Sequence, residues 1–407
     1  MIKTFKVRNF YSIKDEQTIS FEITPKDHKD DSSFKTPLGN LLNNTVALLG
    51  HNASGKTNLL KALSFCVWFV KNSYTLIADG KSPIVGVFPH KLAKDNLSCF
   101  ELTFESEGRE FQYKIHLSGE MVHYEFLGEK KQRGYSVVYE IKRTKSLDSF
   151  VKFNLPPLTK GDKERFAIRK NISLFSFLQN TGHLPKFGLP YLVRCDSNLG
   201  LFGRDESDSS RLFLNLRMAF DTDLNRREKI IKLIKKLDCG ITDFVDKEDY
   251  IVFTHRENPT DIRRVKNIFF KHATNNAEFE LDFFNESNGT QRILCLLARI
   301  FDALEKGKLL VWDEIDASIH PLVVREIIKL FSNSDYNKTH AQIIFSTHAP
   351  LLLNDRNKTQ IFLIERSEKL ASEVYRLDEV EGIRNDDNFC NKYMAGSYGA
   401  IGNIRRV

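Results

Sequence analysis

The chain has 407 residues, of which 41% are hydrophobic, and its formal net charge is +7. This length allows two or three domains, and this hydrophobic content supports a substantial core. The longest apolar stretch, around Leu63–Val70, is far too short to cross a bilayer, and strand-like alternation begins directly after Met1, so we expect neither a membrane span nor a signal peptide. The six cysteines are scattered without metal-ligand spacing, which is typical of reduced thiols in a cytoplasmic protein.

The first predicted elements are strands. Apolar residues alternate over Ile2–Phe10 and again over Ile19–Ile23, which predicts paired strands. The apolar run Thr45–Leu49 predicts a buried strand, and the sequence GHNASGKTN follows it directly. Because glycine permits tight backbone turns, Gly50 and Gly55 let successive N–H groups point at one anion, and the apolar spacing after them predicts a helix.

The loop from Gly50 onward has the pattern Gly-x4-Gly-Lys-Thr of a phosphate loop. In that pattern Lys56 reaches the β- and γ-phosphates of ATP, and the Thr57 hydroxyl holds Mg²⁺. A Gly/Ser turn before a helix that happens to contain lysine is the alternative, but it does not explain the strand before the loop and the helix after it. The residues expected to contact the nucleotide here are Gly50, Asn52, Ser54, Gly55, Lys56, Thr57 and Asn58.

The rest of the chain predicts an α/β head with an insertion. Residues Cys99–Lys130 alternate like strands, the helical spacing after Leu155 is clearest before Gly240, and strand-like alternation returns at Phe279–Phe284. We therefore expect three parts. Residues 1–150 form the phosphate-loop half of the head with a β-rich lobe, residues 151–275 form a mainly helical insertion, and residues 276–407 form the remainder of the head.

The expected insertion carries the net positive charge of the chain, because residues 151–275 alone sum to +7. A basic lobe on a neutral body is typical of contact with a nucleic-acid backbone. A solvated helix face has the same composition, and both interpretations stay open. The basic residues concerned are Arg165, Arg169, Lys170, Arg226, Arg227, Lys229, Lys232, Lys235, Lys236, Arg263, Arg264 and Lys266.

Within residues 276–407, two apolar runs are each followed by residues that can take part in nucleotide chemistry. The run before Asp313 and Glu314 predicts a buried strand that brings both carboxylates to the ligand-binding edge of a sheet. There Asp313 would hold Mg²⁺ through water and Glu314 would polarise the attacking water. A second run ends before His348, which is expected to bind the γ-phosphate and sense hydrolysis. A solvated strand end and a structural histidine are the respective alternatives.

The sequence ESNGTQR places Ser287 and Gly289 at the start of an apolar helix, where serine alone predicts an N-cap. Taken together, the phosphate loop, this helix, the Asp-Glu strand and the terminal histidine follow the order of ABC-type ATPases. In those proteins the Ser-x-Gly helix binds the γ-phosphate held by the opposite protomer, at a helix N-terminus. That order implies a head-to-tail dimer bridged by ATP, with Asp316 and Ser318 at the same seam.

The chain resembles the RloA/AbiL-type ATPases of bacterial phage-defence pairs, relatives of the OLD, RecF and SMC heads. Six stretches carry the resemblance, namely NFYSI, GHNASGKTN, ESNGTQR, DEIDASIHP, AQIIFSTHAPLLL and YMAGSYGAIGNI. The Ser-Asn-Gly-Thr-Gln signature departs from the transporter type, and Ser397 stands where relatives often carry arginine. Gln179 is a candidate for the glutamine that couples nucleotide to the insertion in ABC-type heads.

The resemblance implies a two-gene defence system in which this ATPase senses infection and controls a partner effector, typically a Toprim-like nuclease. The competing hypothesis is a RecF-like ATPase of DNA repair that clamps DNA without a toxic effector. A scaffold with lost catalysis does not fit, because Lys56, Thr57, Asp313 and Glu314 are all present. No membrane partner is expected, and DNA or another nucleic acid stays a candidate partner.

Overall fold

The structure is a computed structural model that describes residues 1–28, 32–77, 79–144, 148–155, 158–183, 194–200, 203–204, 209–237, 240–255, 258–273, 276–384 and 386–402. Its contacts divide the chain into two compact units. The first unit contains Met1–Asp205, Ala303–Ile315 and Ile328–Val407, and the second unit contains Glu206–Asp302 and Asp316–Ile327.

The described residues form the following strands and helices. The strands are β1 (Ile2–Arg8), β2 (Gln17–Ser20), β3 (Ser33–Lys35), β4 (Leu41–Asn43), β5 (Thr45–Leu49), β6 (Ser98–Ser106), β7 (Arg109–Leu117), β8 (Val122–Lys131), β9 (Gly134–Arg143), β10 (Asp148–Phe153), β11 (Cys195–Ser197), β12 (Leu199–Gly200), β13 (Gly203–Arg204), β14 (Ile241–His255), β15 (Asn258–Ala273), β16 (Glu278–Asp282), β17 (Leu309–Trp312), β18 (Gln342–Ser346), β19 (Ile361–Arg366) and β20 (Ser372–Arg376). The helices are α1 (Lys56–Leu76), α2 (Lys160–Ile168), α3 (Leu174–Asn180), α4 (Ser209–Thr222), α5 (Leu224–Ile234), α6 (Asn288–Lys306), α7 (Pro321–Ile328) and α8 (Phe389–Met394).

The first unit is built on a six-stranded sheet in the order β11-β17-β18-β5-β19-β20. All neighbours in it run parallel except β19 and β20, which are antiparallel. Every residue of β5, β17 and β18 is buried, as is usual for parallel strands covered on both faces. Because β5, β17 and β18 end at one edge of the sheet, the residues that follow them meet there.

A seven-stranded antiparallel sheet, in the order β10-β9-β8-β7-β6-β1-β2, belongs to the same unit. The predicted pairing of the first two alternating segments is confirmed, since β1 pairs with β2 in an antiparallel ladder. The predicted strands within Cys99–Lys130 appear as β6, β7 and β8. Along β7 buried and half-buried residues alternate, so one face of the sheet packs on the core.

A buried carboxylate fixes α3 to the antiparallel sheet. Glu125 in β8 is fully buried and accepts hydrogen bonds from the hydroxyls of Tyr113 and Tyr139, at 3.0 and 2.9 Å. At the start of α3 it also accepts from the Ser173 hydroxyl at 2.9 Å and from the backbone N–H of Leu174 at 2.7 Å. A buried polar group is tolerated only when it is well hydrogen-bonded, and these donors meet that condition.

The second unit contains a three-stranded antiparallel sheet, β14-β15-β16, together with α4 and α5. Phe244 of β14 stacks on Phe220 of α4 with a ring separation of 4.6 Å. The Asp246 carboxylate binds the guanidinium groups of both Arg217 and Arg227. These contacts attach the two helices to the sheet.

The α/β class expected from the sequence is confirmed, but the segment 151–275 differs from the expected insertion in two respects. Helices α2 to α5 are present there, yet the same segment supplies the long hairpin β14–β15, which was not predicted. Charged residues such as Asp243, Asp246 and Lys247 interrupt the apolar alternation of β14, so the period-2 signal is weak. In addition, β11 pairs with β17 in the parallel sheet and is therefore part of the head itself.

Candidate nucleotide-binding site

The loop between β5 and α1 requires glycine at both predicted positions. A Cβ added at Gly50 would lie 2.1 Å from the carbonyl oxygen of Ile364. Gly55 has φ +114°, and a Cβ there would lie 2.0 Å from the Ser372 hydroxyl. Since real side chains cannot occupy such positions, the backbone of this loop is set by its glycines.

Lys56 is the first residue of α1 and directly follows this loop. Its side chain is buried, and its ammonium group donates to the carbonyl oxygens of Gly50 at 2.7 Å and His51 at 3.1 Å. The lysine therefore closes the loop on itself and places a positive charge at its centre. A positive charge within a ring of backbone groups is the arrangement that binds a phosphate in phosphate loops.

The two residues predicted to bind Mg²⁺ are in direct contact. The Thr57 hydroxyl donates to Asp313 Oδ2 at 2.9 Å, although the residues belong to different elements. Asp313 is buried, and its Oδ1 accepts a hydrogen bond of 2.6 Å from the Ser346 hydroxyl. Hydroxyl and carboxylate oxygens are the ligands that Mg²⁺ prefers, so this pair is suited to the ion.

Asn198 holds the backbone of Asp313 in place through two hydrogen bonds. Its side-chain amide donates to the Asp313 carbonyl at 3.0 Å, and its side-chain oxygen accepts from the Asp313 N–H at 2.8 Å. Sequence analysis missed both Asn198 and Ser346, because each is a single polar residue without a local pattern. Ser346 ends a predicted apolar run, a position that by itself does not indicate such a role, and Asn198 follows a strand that was not predicted.

Glu314 and His348, the two predicted catalytic residues, face each other across the site. His348 Nε2 lies 3.8 Å from Glu314 Oε1, and both side chains are partly exposed. Glu314 has φ +48°, which is uncommon for a residue with a side chain and is often found at functional positions. The Glu314 N–H donates to the Ser346 hydroxyl at 2.7 Å, so Ser346 orients both carboxylate residues.

These residues surround a cavity of about 710 Å³ in the first unit. Three of its lining residues, Ser12, Ala53 and Arg366, were not predicted as site residues. The cavity has room for a nucleotide at the mouth of the phosphate loop. It is lined by Ser12, Asn52, Ala53, Ser54, Gly55, Lys56, Thr57, Asn58, Glu314, His348 and Arg366.

A cluster of hydrogen-bonded polar side chains supports the phosphate loop. The Ser372 hydroxyl donates to the Ser54 carbonyl at 2.6 Å and accepts a hydrogen bond from the Ser12 hydroxyl at 2.7 Å. The side-chain amide of Asn58 also donates to the Ser12 hydroxyl, at 2.8 Å. Ser12 lies in the NFYSI stretch, so this contact gives that stretch a structural role beside the loop.

Burial and a neighbouring carboxylate have opposite effects on the pKa of a lysine near the site. Burial lowers the pKa of Lys61, one turn after Thr57 on α1, and the negative charge of Asp313 opposes that shift. The field of Asp313 therefore reaches this lysine.

The remaining predicted nucleotide contacts, Ser287, Gly289 and Asp316, lie in the second unit. The Ser287 hydroxyl accepts from the Thr290 N–H at 3.1 Å, so Ser287 caps α6. A Cβ at Gly289 would lie 2.8 Å from the Ser318 carbonyl oxygen, and the Arg292 guanidinium donates to the Ala317 carbonyl at 2.9 Å. The start of α6 and the stretch after Asp316 thus form one surface region, as the predicted dimer seam requires.

Not every basic residue of the expected insertion is available to a partner. Arg226 pairs with Asp302 at 3.2 Å, and Arg169 donates to the Tyr74 carbonyl at 2.6 Å. Lys232, Lys235 and Lys236 are exposed. Gln179, the candidate coupling glutamine, is exposed at the end of α3 and does not line the cavity. The side chains of Arg165, Arg263, Arg264 and Lys266 lie outside the described residues.

The fold and the loop geometry define a P-loop nucleotide-binding protein. Residues 46–354 match the family described as "AAA domain, putative AbiEii toxin, Type IV TA system", and the chain belongs to this family. It thus contains an AAA-type domain. No curated protein matches the chain. Among solved structures it is similar to the SMC head domain from Thermotoga maritima, with 13% identity and a TM-score of 0.44 over 92% of this chain and 98% of that one.

The narrower RloA/AbiL-type assignment stays a prediction, as do the roles of the individual site residues. Over the part of the chain that the structure describes, no helix has the length and apolar character needed to span a bilayer.

Proposed function

We propose that this protein is an Mg²⁺-dependent ATPase whose nucleotide state controls a partner effector in a two-gene antiviral system. The observation that supports the ATPase part best is the 2.9 Å contact between Thr57 and Asp313 beside the buried Lys56. It joins the phosphate loop to the carboxylate strand, which is the arrangement that Mg²⁺-nucleotide chemistry needs.

Each residue then has a role in the proposed reaction. Lys56 and the loop N–H groups would bind the β- and γ-phosphates, and Thr57 directly and Asp313 through water would hold Mg²⁺, whose charge would offset that of the phosphates. Glu314 orients and polarises water for attack on the γ-phosphate, and His348 beside it contacts that phosphate. The products are ADP and inorganic phosphate.

Self-association completes the proposed site. Ser287 and Gly289 begin a helix of 19 residues, and a helix N-terminus attracts anions through its exposed N–H groups and its dipole. In the proposed head-to-tail dimer, this helix end of one copy binds the γ-phosphate held by Lys56 of the other copy. ATP then keeps the two heads closed, and hydrolysis opens them.

The effector part of the proposal draws on the family description, which names a toxin and a toxin–antitoxin system. In such a system the ATPase acts with the product of a neighbouring gene. We propose that the closed dimer retains this effector, a Toprim-like nuclease, and that hydrolysis after phage infection releases it in the cytoplasm.

A RecF-like ATPase of DNA repair is the second candidate, and the exposed lysines 232, 235 and 236 favour it. The two candidates differ in what the ATPase acts on. Nuclease activity that appears only with the neighbouring gene product supports defence. ATP hydrolysis stimulated by DNA, without such a partner, supports the repair function.

The test compares wild type with Lys56→Ala and with a matched control, Lys71→Ala, an exposed lysine on the same helix. Charge-assisted hydrogen bonds contribute about 1.5–3 kcal/mol each, so Lys56→Ala is expected to weaken ATP binding at least tenfold while the control binds normally. The three proteins are then purified with the neighbouring gene product and tested for phage protection. Unchanged ATP affinity of Lys56→Ala within twofold contradicts the proposed site.

A further inference from the structure

A segment near the end of the described chain contacts the back of the phosphate loop. It comprises α8 and the residues after it, Phe389–Gly402, and we name it the clamp segment. The backbone N–H of His51 donates to the carbonyl oxygen of Ala400 at 3.0 Å. Gly402 passes so close that a Cβ there would lie 3.1 Å from the Cβ of His51.

One peptide group of the phosphate loop is held by hydrogen bonds at both its N–H and its carbonyl oxygen. The peptide between Gly50 and His51 presents its N–H to Ala400 and its carbonyl oxygen to the Lys56 ammonium, at 2.7 Å. Because a peptide group is planar, its N–H and its C=O rotate together. A change in the position of Ala400 therefore moves the oxygen that holds Lys56.

Ala400 is itself held by side chains of the first unit. Its N–H donates to Glu365 Oε2 at 3.2 Å, and its carbonyl oxygen also accepts from the Tyr393 hydroxyl at 3.3 Å. Ala400 has φ +55°, an unfavourable backbone conformation for alanine that these contacts stabilise. The preceding residue, Gly399, leaves no room for a side chain, since a Cβ there would lie 2.7 Å from the Tyr375 hydroxyl.

The clamp segment also contacts the turn that follows His348. The backbone N–H of Cys390 donates to the side-chain oxygen of Asn354 at 3.0 Å. A cavity of about 240 Å³ lies between the phosphate loop, this turn and the clamp segment, and His348 and His51 both line it. The same segment thus touches the ends of β5 and β18, two of the three strand ends that contribute to the nucleotide site.

We propose that Glu365 and the clamp segment are positioning elements that hold the Gly50–His51 peptide, and through it Lys56, in the nucleotide-binding conformation. This inference rests on the proposed ATPase function, and it assigns a role to the YMAGSYGAIGNI stretch. Neither Glu365 nor Ala400 lines the nucleotide cavity, so their effect on nucleotide binding passes through the loop.

The test uses a variant that removes the hydrogen-bond acceptor, a conservative variant that keeps it, and a control at the paired position. Glu365→Leu removes the acceptor of the Ala400 N–H, whereas Glu365→Gln keeps a side-chain oxygen in that place. Glu373→Leu makes the same change at the residue that pairs with Glu365 across β19 and β20. Tyr393→Phe, which removes only the second hydrogen bond to Ala400, serves if Glu365→Leu does not fold.

We expect Glu365→Leu to raise the Kd for Mg²⁺-ATP about tenfold, the scale of removing a hydrogen bond to a charged group. Glu365→Gln and Glu373→Leu are expected to stay within about twofold of wild type, and Tyr393→Phe to raise the Kd about threefold. Amide hydrogen exchange at His51 is expected to become faster in Glu365→Leu and Tyr393→Phe but not in Glu373→Leu, even when all melt at the same temperature.

Lys56→Ala, measured in parallel, separates the two proposals. If Lys56→Ala loses ATP binding while Glu365→Leu and Tyr393→Phe bind ATP like wild type, the clamp proposal is wrong and the phosphate site stands. If Lys56→Ala binds ATP like wild type, the nucleotide site is wrong and the clamp proposal falls with it.

Discussion

The Thr57 hydroxyl on α1 donates a hydrogen bond of 2.9 Å to the carboxylate of Asp313, which lies 256 residues further along the chain. The order of the parallel sheet explains this contact. Strand β18 pairs with β5 on one side and with β17 on the other, so the residues after β5 and β17 meet at the same edge. The strand order of the sheet therefore brings together Thr57 and Asp313, the two proposed Mg²⁺ ligands.

Removal of the Thr57 hydroxyl tests the metal pair. Thr57→Val keeps the shape of the side chain but removes one Mg²⁺ ligand and the hydrogen bond to Asp313. Hydrogen bonds to charged groups contribute about 1.5–3 kcal/mol, so the Mg²⁺ concentration for half-maximal ATPase activity is expected to rise at least tenfold. Thr75→Val, an exposed threonine on the same helix, is the control. The same Mg²⁺ dependence in both variants contradicts a metal role for Thr57.

Two substitutions at Ser287 separate its structural role from the proposed role in the dimer. Aspartate caps helices as well as serine does, so Ser287→Asp preserves the N-cap of α6, but its negative charge repels the γ-phosphate of the opposite copy. We expect ATP binding to stay normal while ATP-dependent dimerisation and hydrolysis are abolished. Ser287→Arg, whose bulk blocks the seam, is expected to behave in the same way.

Light scattering with and without ATP measures dimerisation, and phosphate release measures turnover. Normal turnover of Ser287→Asp would mean that Ser287 only caps its helix, a contribution of about 1 kcal/mol to helix stability.

The exposed lysines of the second unit test nucleic-acid binding. Lys232, Lys235 and Lys236 are replaced together by Glu, and the control replaces three exposed lysines of the first unit, Lys91, Lys94 and Lys369. Both triple variants change the net charge equally, so a difference between them reflects position. For B-DNA we expect the first variant alone to flatten the plot of log K against log salt, by about 0.9 for each phosphate that the protein no longer neutralises. An equal salt dependence of DNA binding in the two variants would mean that Lys232, Lys235 and Lys236 only form a solvated face.

Acid is expected to weaken the second unit through Asp246. Although burial raises it, the pKa of Asp246 is held below its usual value by hydrogen bonds and charges from Arg227 and Arg217. A depressed carboxyl pKa stabilises the fold above the unfolded-state pKa of about 3.9, and this stability is lost as pH falls through the folded-state pKa.

Asp246→Asn removes this titration. Its melting temperature is therefore expected to lie below that of wild type at pH 7 and to converge with it as the pH falls through the folded-state pKa of Asp246. Thermal unfolding followed by circular dichroism at several pH values measures the difference. An equal difference at every pH would show that the charge of Asp246 does not contribute.

The parts of the site that the sequence predicted share a local pattern. Gly50, Gly55, Lys56 and Thr57 stand within one short stretch, and Asp313 directly follows an apolar run, so strand, loop and chemistry are visible together. Their mutual placement follows from general rules on parallel sheets. For the same reason the α/β class could be predicted.

The parts that were missed depend on contacts between distant residues. Asn198, Ser346 and Ser372 each support the site through one or two hydrogen bonds, and an isolated serine or asparagine gives no sequence signal for such a role. The three residues of β11 are too short for a periodic pattern, and their strand character comes from pairing with β17. These features are determined by contacts between residues that lie far apart in the sequence.

ATP turnover by Glu314→Gln is the most direct measurement of the central claim, that this site binds and hydrolyses ATP. The substitution keeps the size of the side chain and its neighbours Ser346 and His348, but it removes the carboxylate that orients water. We expect ATP affinity within about twofold of wild type and hydrolysis slower by roughly 10²–10⁴-fold, the usual contribution of a general base, while the exposed control Glu373→Gln stays normal. Hydrolysis by Glu314→Gln at the wild-type rate would contradict the account.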